Sequence, residues 1–315
     1  MAGRNRAQAA KPVDTMTAGM RVTCSWQGPA QLGECPLWDT RRQRLFWIDS
    51  LGKAIWSARA DGSDAQSWSM PDEIGSIGLC EGTRLIAGFR GGFGLVRLGD
   101  GIAEVEWIGN PDPDQADTRL NDGKVDREGR FWCGTMNIDF AAPNAALYRL
   151  DPDLSCRRID DGFTVSNGIA FSPDGRRMYF SDSRVDRSYQ YDLEPGSGAV
   201  SNRRAFVDTT AYEGRIDGAT VDAGGDYWGA LFQGGAVARF SPDGALRQKI
   251  DLPVSCPTMC NFGGPGLDIL YVTSATFLLS EDEAAQQPLA GALFAIEGLG
   301  TRGLEEPRFA VTQDQ

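Results

Sequence analysis

The chain has 315 residues, 41% hydrophobic, 23% charged and 10% aromatic, with no apolar run long enough to cross a bilayer, which excludes a helical membrane protein and a disordered chain. Its 39 glycines, against about 7% in average usage, and its lack of long Ala/Glu/Lys/Leu blocks favour many short strands joined by tight turns. A formal charge of −12 argues against nucleic acid as a partner, and the absence of any histidine removes every mechanism built on an imidazole base or ligand.

In chain order, residues 1–21 are polar and Ala-rich, lack the apolar core of a secretory signal, and read as a loose arm, with Met16 and Met20 as alternative starts. Seven cysteines, an odd number without repeated spacing, point to a reducing cytoplasm. The only close pair, Cys256 and Cys260, has neither a second pair nor a histidine to complete a zinc site, so burial is its expected role.

From there a unit repeats. Short apolar or aromatic runs follow Asp/Gly turns at Leu45–Ile48, Leu85–Ala87, Phe131–Cys133, Met178–Phe180, Tyr227–Gly229 and Leu270–Val272, roughly 40 to 50 residues apart. Each is followed by a second run, at Ala54–Trp56, Gly94–Val96, Ala146–Tyr148, Tyr189–Tyr191, Ala236–Ala238 and Ala292–Phe294. We take the first run as the first strand of each unit. A unit of this length cannot bury its apolar face alone, whereas six arranged radially share a core and protect their edges. The expected architecture is all-β, one six-bladed β-propeller over residues 22–315, with a pair of sandwiches as the competing arrangement. Ser280–Gln287 is the one passable helix, read as a surface insertion.

A propeller gathers side chains from several blades at one end of its channel, so functional residues should recur at one phase of the repeat. About a dozen residues ahead of the aromatic runs stand Glu34, Asn121-Asp122-Gly123, Asn167-Gly168 and Asp217-Gly218. Singly, Asn-Gly and Asp-Gly are ordinary turn dipeptides. Their recurrence at one phase of four units marks them as candidates for a site.

These segments resemble the family of senescence marker protein 30, the gluconolactonases and luciferin-regenerating enzyme. The matching motifs are Gly33-Glu34-Cys35-Pro36-Leu37-Trp38, Arg119 to Asp126, Gly134-Thr135-Met136, Ser166-Asn167-Gly168 and Asp217-Gly218, and the likeness extends over roughly residues 24–296. The resemblance implies a six-bladed propeller that holds one divalent cation in its channel and hydrolyses sugar lactones. It implies Glu34, Asn167 and Asp217 as metal ligands and Arg119 and Asn121 as substrate contacts. Asp139 stands where the family often places an acidic substrate contact, in a segment that matches less closely. Cys35 replaces a glycine that many members carry, which implies altered packing and sensitivity to oxidation.

Two carboxylates and an amide are hard oxygen donors, suited to Ca²⁺, Mg²⁺ or Mn²⁺ with Zn²⁺ tolerated. Such a cation would polarise a lactone carbonyl while Asp217 deprotonates the attacking water; a division with Asp217 as ligand only stays open. Trp38, Trp132, Trp228 and Phe232 read first as core and second as an apolar wall, and Arg90-Gly91-Gly92-Phe93 and Gln233-Gly234-Gly235 as loops near the channel or plain blade turns. The competing functions are a cation-dependent ester or phosphotriester hydrolase, whose better-known propeller relatives use histidine, and a non-enzymatic calcium-binding regulator. A closed propeller has no strand edge that must be paired, so a monomer acting on a small-molecule sugar lactone, without a membrane partner, is expected.

Overall fold

The computed structural model describes residues 15–17 and 19–311. Its strands form six antiparallel sheets, the blades of a propeller. Blades 1 to 5 begin with inner strands Gly33–Asp39, Ile74–Leu79, Thr118–Val125, Ser166–Phe171 and Arg215–Val221. Blade 6 has inner strand Pro257–Gly263, then Ile269–Ser274 and Leu293–Glu297, and takes its next strand, Met20–Trp26, from near the other end of the chain. That exchange closes the ring and leaves no blade unpaired at the join. Each inner strand packs against the next around the channel.

The arm expected over residues 1–21 is only partly visible: residues 1–14 and 18 lie outside the described residues, Thr15–Thr17 pairs with the strand that starts at Met20, and Arg21 pairs with Glu297. The expected helix forms at Glu281–Gln286, capped by Ser280, whose side chain accepts from Glu283 N–H while the Glu283 carboxylate accepts from Ser280 N–H.

The turn chemistry explains the repeat. Asp126 Oδ1 accepts from the backbone N–H groups of Glu128 and Arg130 at 2.9 and 3.0 Å, and its Oδ2 accepts from Trp132 Nε1 at 2.8 Å. Asp222 does the same for Gly224, Asp226 and Trp228, and Asp39 binds the N–H groups of Arg41 and Arg42. Each aspartate thus closes a turn, and two also fix the tryptophan of the next strand, which is why Asp/Gly precedes an aromatic run. Trp38, Trp47, Trp132 and Trp228 are fully buried in the blades and are core, not channel wall.

One expectation is corrected. The aromatic runs occupy the second strand of each blade (Arg44–Asp49, Leu85–Phe89, Phe131–Asn137, Arg177–Asp182, Tyr227–Phe232 and Ile269–Ser274), and the runs that follow them are third strands. The innermost strand was hidden because it is made of small and polar residues, as in Ile74-Gly-Ser-Ile-Gly-Leu79 and Ser166-Asn-Gly-Ile-Ala-Phe171, which face the crowded axis. The dipeptides that look like turns are in those strands. All six inner strands carry a bulge near their starts, between Glu34 and Leu37, Ile74 and Ser76, Leu120 and Gly123, Asn167 and Ala170, Ile216 and Ala219, and Pro257 and Cys260. A bulge breaks the ladder and re-aims side chains, and here it does so at one height around the channel.

Candidate active site

Glu34 is the second residue of its inner strand, Asn167 the second and Asp217 the third, while Arg119, Asn121 and Asp122 are the second, fourth and fifth residues of the inner strand of blade 3. Blades 1, 3, 4 and 5 therefore deliver these side chains to the same end of the channel. The bulges need particular backbones. Gly168 sits at φ +61°, in the left-handed region that glycine tolerates. Gly75, in the bulge of blade 2, lies so close to blade 3 that a Cβ would stand 2.6 Å from the Leu120 carbonyl oxygen and 2.7 Å from that of Asn121.

A hydrogen-bonded chain ties three blades together. Asn121 Nδ2 donates to Asn167 Oδ1 at 2.9 Å and to the Ser166 carbonyl at 3.0 Å. Asn167 Nδ2 donates to Ser183 Oγ at 2.9 Å, and Ser183 Oγ donates to the Ile216 carbonyl at 2.6 Å, one residue before Asp217. Holding the Asn167 nitrogen in this way turns its oxygen toward Asn121.

The electrostatics bring Glu34, Asp122, Asp217 and Arg119 into one group. Enclosure raises the carboxyl pKa of Glu34 well above its ordinary value, and the charges of Asp217 and Asp122 push it further, against Arg119. Asp217 is raised well above its ordinary value for the same reasons, burial first and Asp122 second. Asp122 rises to about 6, mainly through burial, opposed by the Ile169 N–H and by Lys124. Arg119, buried, is lowered from its ordinary value by desolvation and gives one N–H to the Leu120 carbonyl at 3.2 Å.

Sequence reasoning named Asp122 beside Asn121 among the candidates but gave it no role. Its Oδ2 accepts from Ile169 N–H at 2.8 Å, but among the described residues its buried Oδ1 has no hydrogen-bond partner. Its place at the phase of Asp217 was the available signal. Asp122 is buried and Glu34 and Asp217 are half-buried, and the three carboxylates, opposed by Arg119 and more weakly by Lys124, carry net negative charge when ionised, which desolvation penalises. Among the described residues no group of three or more acidic or cysteine side chains is arranged to hold a metal ion; by chemistry, carboxylates and the oxygen of Asn167 are the hard donors a divalent cation takes.

Asp139 is exposed in the turn after Phe131–Asn137 and, among the described residues, shares no hydrogen bond or ion pair with this group. Phe232 is half-buried at the end of its strand, packed toward Leu32, Cys256 and Ala275. Arg90-Gly91 and Gln233-Gly234-Gly235 are the hairpin turns between second and third strands of blades 2 and 5.

Cys35 sits in the bulge of blade 1 at φ +51°, a backbone that explains why glycine suits this position. The expected sensitivity to oxidation does not fit its setting: the thiol is buried, and burial together with Asp122 and Glu34 pushes its pKa well above 9, so the reactive thiolate is scarce. All seven cysteines are free, and only Cys156 is exposed.

Comparison with known proteins agrees with the fold. The chain is 36% identical over 293 residues to a 6-deoxy-6-sulfogluconolactonase of Pseudomonas putida, covering 92% of this chain and 98% of that protein. It is 37% identical over 291 residues to an L-arabinolactonase of Azospirillum brasilense, covering 89% and 93%. The crystal structure of the calcium-binding protein regucalcin from Agrobacterium tumefaciens superimposes with a TM-score of 0.86 at 26% identity, covering 93% of this chain and 97% of that one. Residues 32–276, well over half of the chain, match the SMP-30/gluconolactonase/LRE-like region, and the chain belongs to that family.

Proposed function

We propose that the chain hydrolyses an aldonolactone, the cyclic ester of a sugar acid, to the free acid, with one divalent cation held by Glu34, Asn167 and Asp217. The observation that carries this reading is the excess of carboxylate at Glu34, Asp122 and Asp217 opposite Arg119 and Asn121, in a chain whose relatives are named for lactone hydrolysis. A bound cation supplies Lewis acidity to an ester carbonyl and makes water more acidic.

The chain's own residues do the rest. Both Asn121 amide hydrogens are engaged by Ser166 and Asn167, so Asn121 meets a sugar hydroxyl as an acceptor, through Oδ1. Arg119 has N–H groups beyond the one given to Leu120, and they donate to lactone oxygens, fixing the ring and offsetting negative charge on the carbonyl oxygen. Asp217 takes the proton of the water as its oxygen bonds to the carbonyl carbon. When the ring C–O bond breaks, the same carboxyl returns the proton to the departing ring oxygen, leaving hydroxyl and acid. No nucleophilic side chain or histidine is needed.

The test strips the protein with chelator and follows acid release from a panel of aldonolactones in weak buffer, before and after adding Ca²⁺, Mg²⁺, Mn²⁺ or Zn²⁺. Hydrolysis that returns with one of these ions and disappears in Asp217→Ala supports the reading. A full panel left unopened under every ion refutes it.

A further inference from the structure

After the third strand of blade 6, Leu293–Glu297, residues 298–311 run across the end of the channel opposite Glu34 and Asp217. The segment is pinned blade by blade. Ala223 N–H donates to the Arg302 carbonyl at 2.8 Å and Gly303 N–H to the Leu267 carbonyl at 2.8 Å. Arg308 pairs with buried Asp39 of blade 1 and donates to the Cys80 carbonyl of blade 2 at 3.2 Å. Phe309 N–H donates to the Leu79 carbonyl at 2.7 Å and Ala310 N–H to the Gly129 carbonyl of blade 3 at 3.0 Å. Five blades are thus strapped by a segment with little regular structure of its own.

The strap carries one charged side chain into the channel. Glu306 is buried and lies 3.7 Å from the Nζ of Lys124, which is also buried. Lys124 belongs to the inner strand of blade 3, two residues beyond Asp122, and its Nζ donates across the channel to the carbonyl of Ala219 at 3.2 Å. Ala219 is on the inner strand of blade 5, two residues beyond Asp217. The space around them, lined by Cys35, Leu79, Lys124, Asn261 and Glu306, has room for about one water molecule. Lys124 is therefore a bar between the two strands that bring Asn121, Asp122 and Asp217 to the site.

A buried ion pair is a poor device for stability, since well-packed apolar residues of the same volume usually do as well or better. Its defined geometry is what an apolar pair would lack. We propose that Lys124 and Glu306 are positioning residues: Glu306, delivered by the strap, holds Lys124 across the channel, and Lys124 sets the spacing of blades 3 and 5 at the carboxylate site. The proposal rests on the assignment of that site as the reacting centre. It extends the site's support to a segment at the other end of the channel.

The test uses full-length protein and three variants, Glu306→Gln, Lys124→Met and the double Lys124→Met/Glu306→Gln, the last removing both charges of the pair together. Thermal melting, amide hydrogen exchange of the chelator-treated protein, and calorimetric titration with Ca²⁺ and Mn²⁺ are read together. The double variant is expected to melt within a few degrees of the parent. Its amides at 119–123 and 215–219 should nevertheless exchange at least tenfold faster, with blade 2 unchanged, and its cation midpoint should rise at least tenfold. Parental exchange in both segments overturns the proposal, as does faster exchange spread evenly over all blades, which marks a merely structural pair. A parent that binds neither cation removes the metal assignment alone, and exchange at the two segments then decides the positioning role.

Discussion

Asp122→Asn in metal-stripped protein examines the electrostatic account of the site directly. Burial lifts the Asp122 carboxyl from 3.8 to about 6 in the folded chain. A folded-state pKa above the unfolded one means that the folded state binds the proton more tightly, so ionisation opposes folding. That opposition is absent below the unfolded pKa, grows between about pH 4 and 6, and is full above the folded pKa. A shift of about two units corresponds to about 3 kcal/mol at full ionisation, of which about 2 kcal/mol develops between pH 4.5 and 8. Asparagine keeps an oxygen for the Ile169 N–H and cannot ionise. Its amide hydrogens carry their own desolvation cost in this pocket, but that offset does not depend on pH. Urea unfolding of both proteins in chelator across pH 4.5–8 should therefore show the variant gaining about 2 kcal/mol on the parent as pH rises. Saturating divalent cation should reverse the ranking at neutral pH, because the parent then has a counter-charge for the carboxylates. Stability–pH curves that stay parallel in chelator would refute the reasoning, showing that Asp122 is not an uncompensated buried acid.

Asp217→Ala should lower kcat for the best lactone by about 10²- to 10⁴-fold, the usual worth of a positioned base, and should flatten the cation-linked rise in melting temperature. Arg119→Ala should lower kcat/KM by about 10- to 100-fold, with kcat falling as well as KM rising, since its donors both bind the ring and offset charge that develops on the carbonyl oxygen; steady-state kinetics on the metal-loaded protein decides. Trp132→Phe removes the indole bond to Asp126 and should destabilise the fold by about 2 kcal/mol with lactone turnover unchanged, as read by denaturant melts beside kinetics. Arg308→Met removes one of two guanidinium partners of the buried Asp39 carboxylate, which keeps Arg42 and two backbone N–H groups, and should cost about 1–3 kcal/mol, a loss visible in the same melts.

Local chemistry was written plainly enough in the chain to be read without coordinates. Asp126 and Asp222 close turns with neighbours two and four residues on and bond a tryptophan six residues on, so the repeat and the blade number follow from short-range physics. Glu34, Asn121, Asn167 and Asp217 stood out because a ring of equivalent blades puts equal phases at equal heights. The inner strands did not stand out, because small and polar residues at a crowded axis carry no hydrophobic run, and their bulges look like turns when only the dipeptide is seen. Asp122 has the same cause: a carboxylate beside Gly123 reads as solvated until closure of the ring buries it against Ile169 and leaves one oxygen without a partner among the described residues. Lys124 and Glu306 lie far apart in the chain and meet only when the last residues cross the channel. Sequence alone determined the blades and the phase at which the site is built. The tertiary structure decided which strand faces the axis, which acids lose their water and what braces them, because burial and charge proximity arise only once the sixth blade closes on the first.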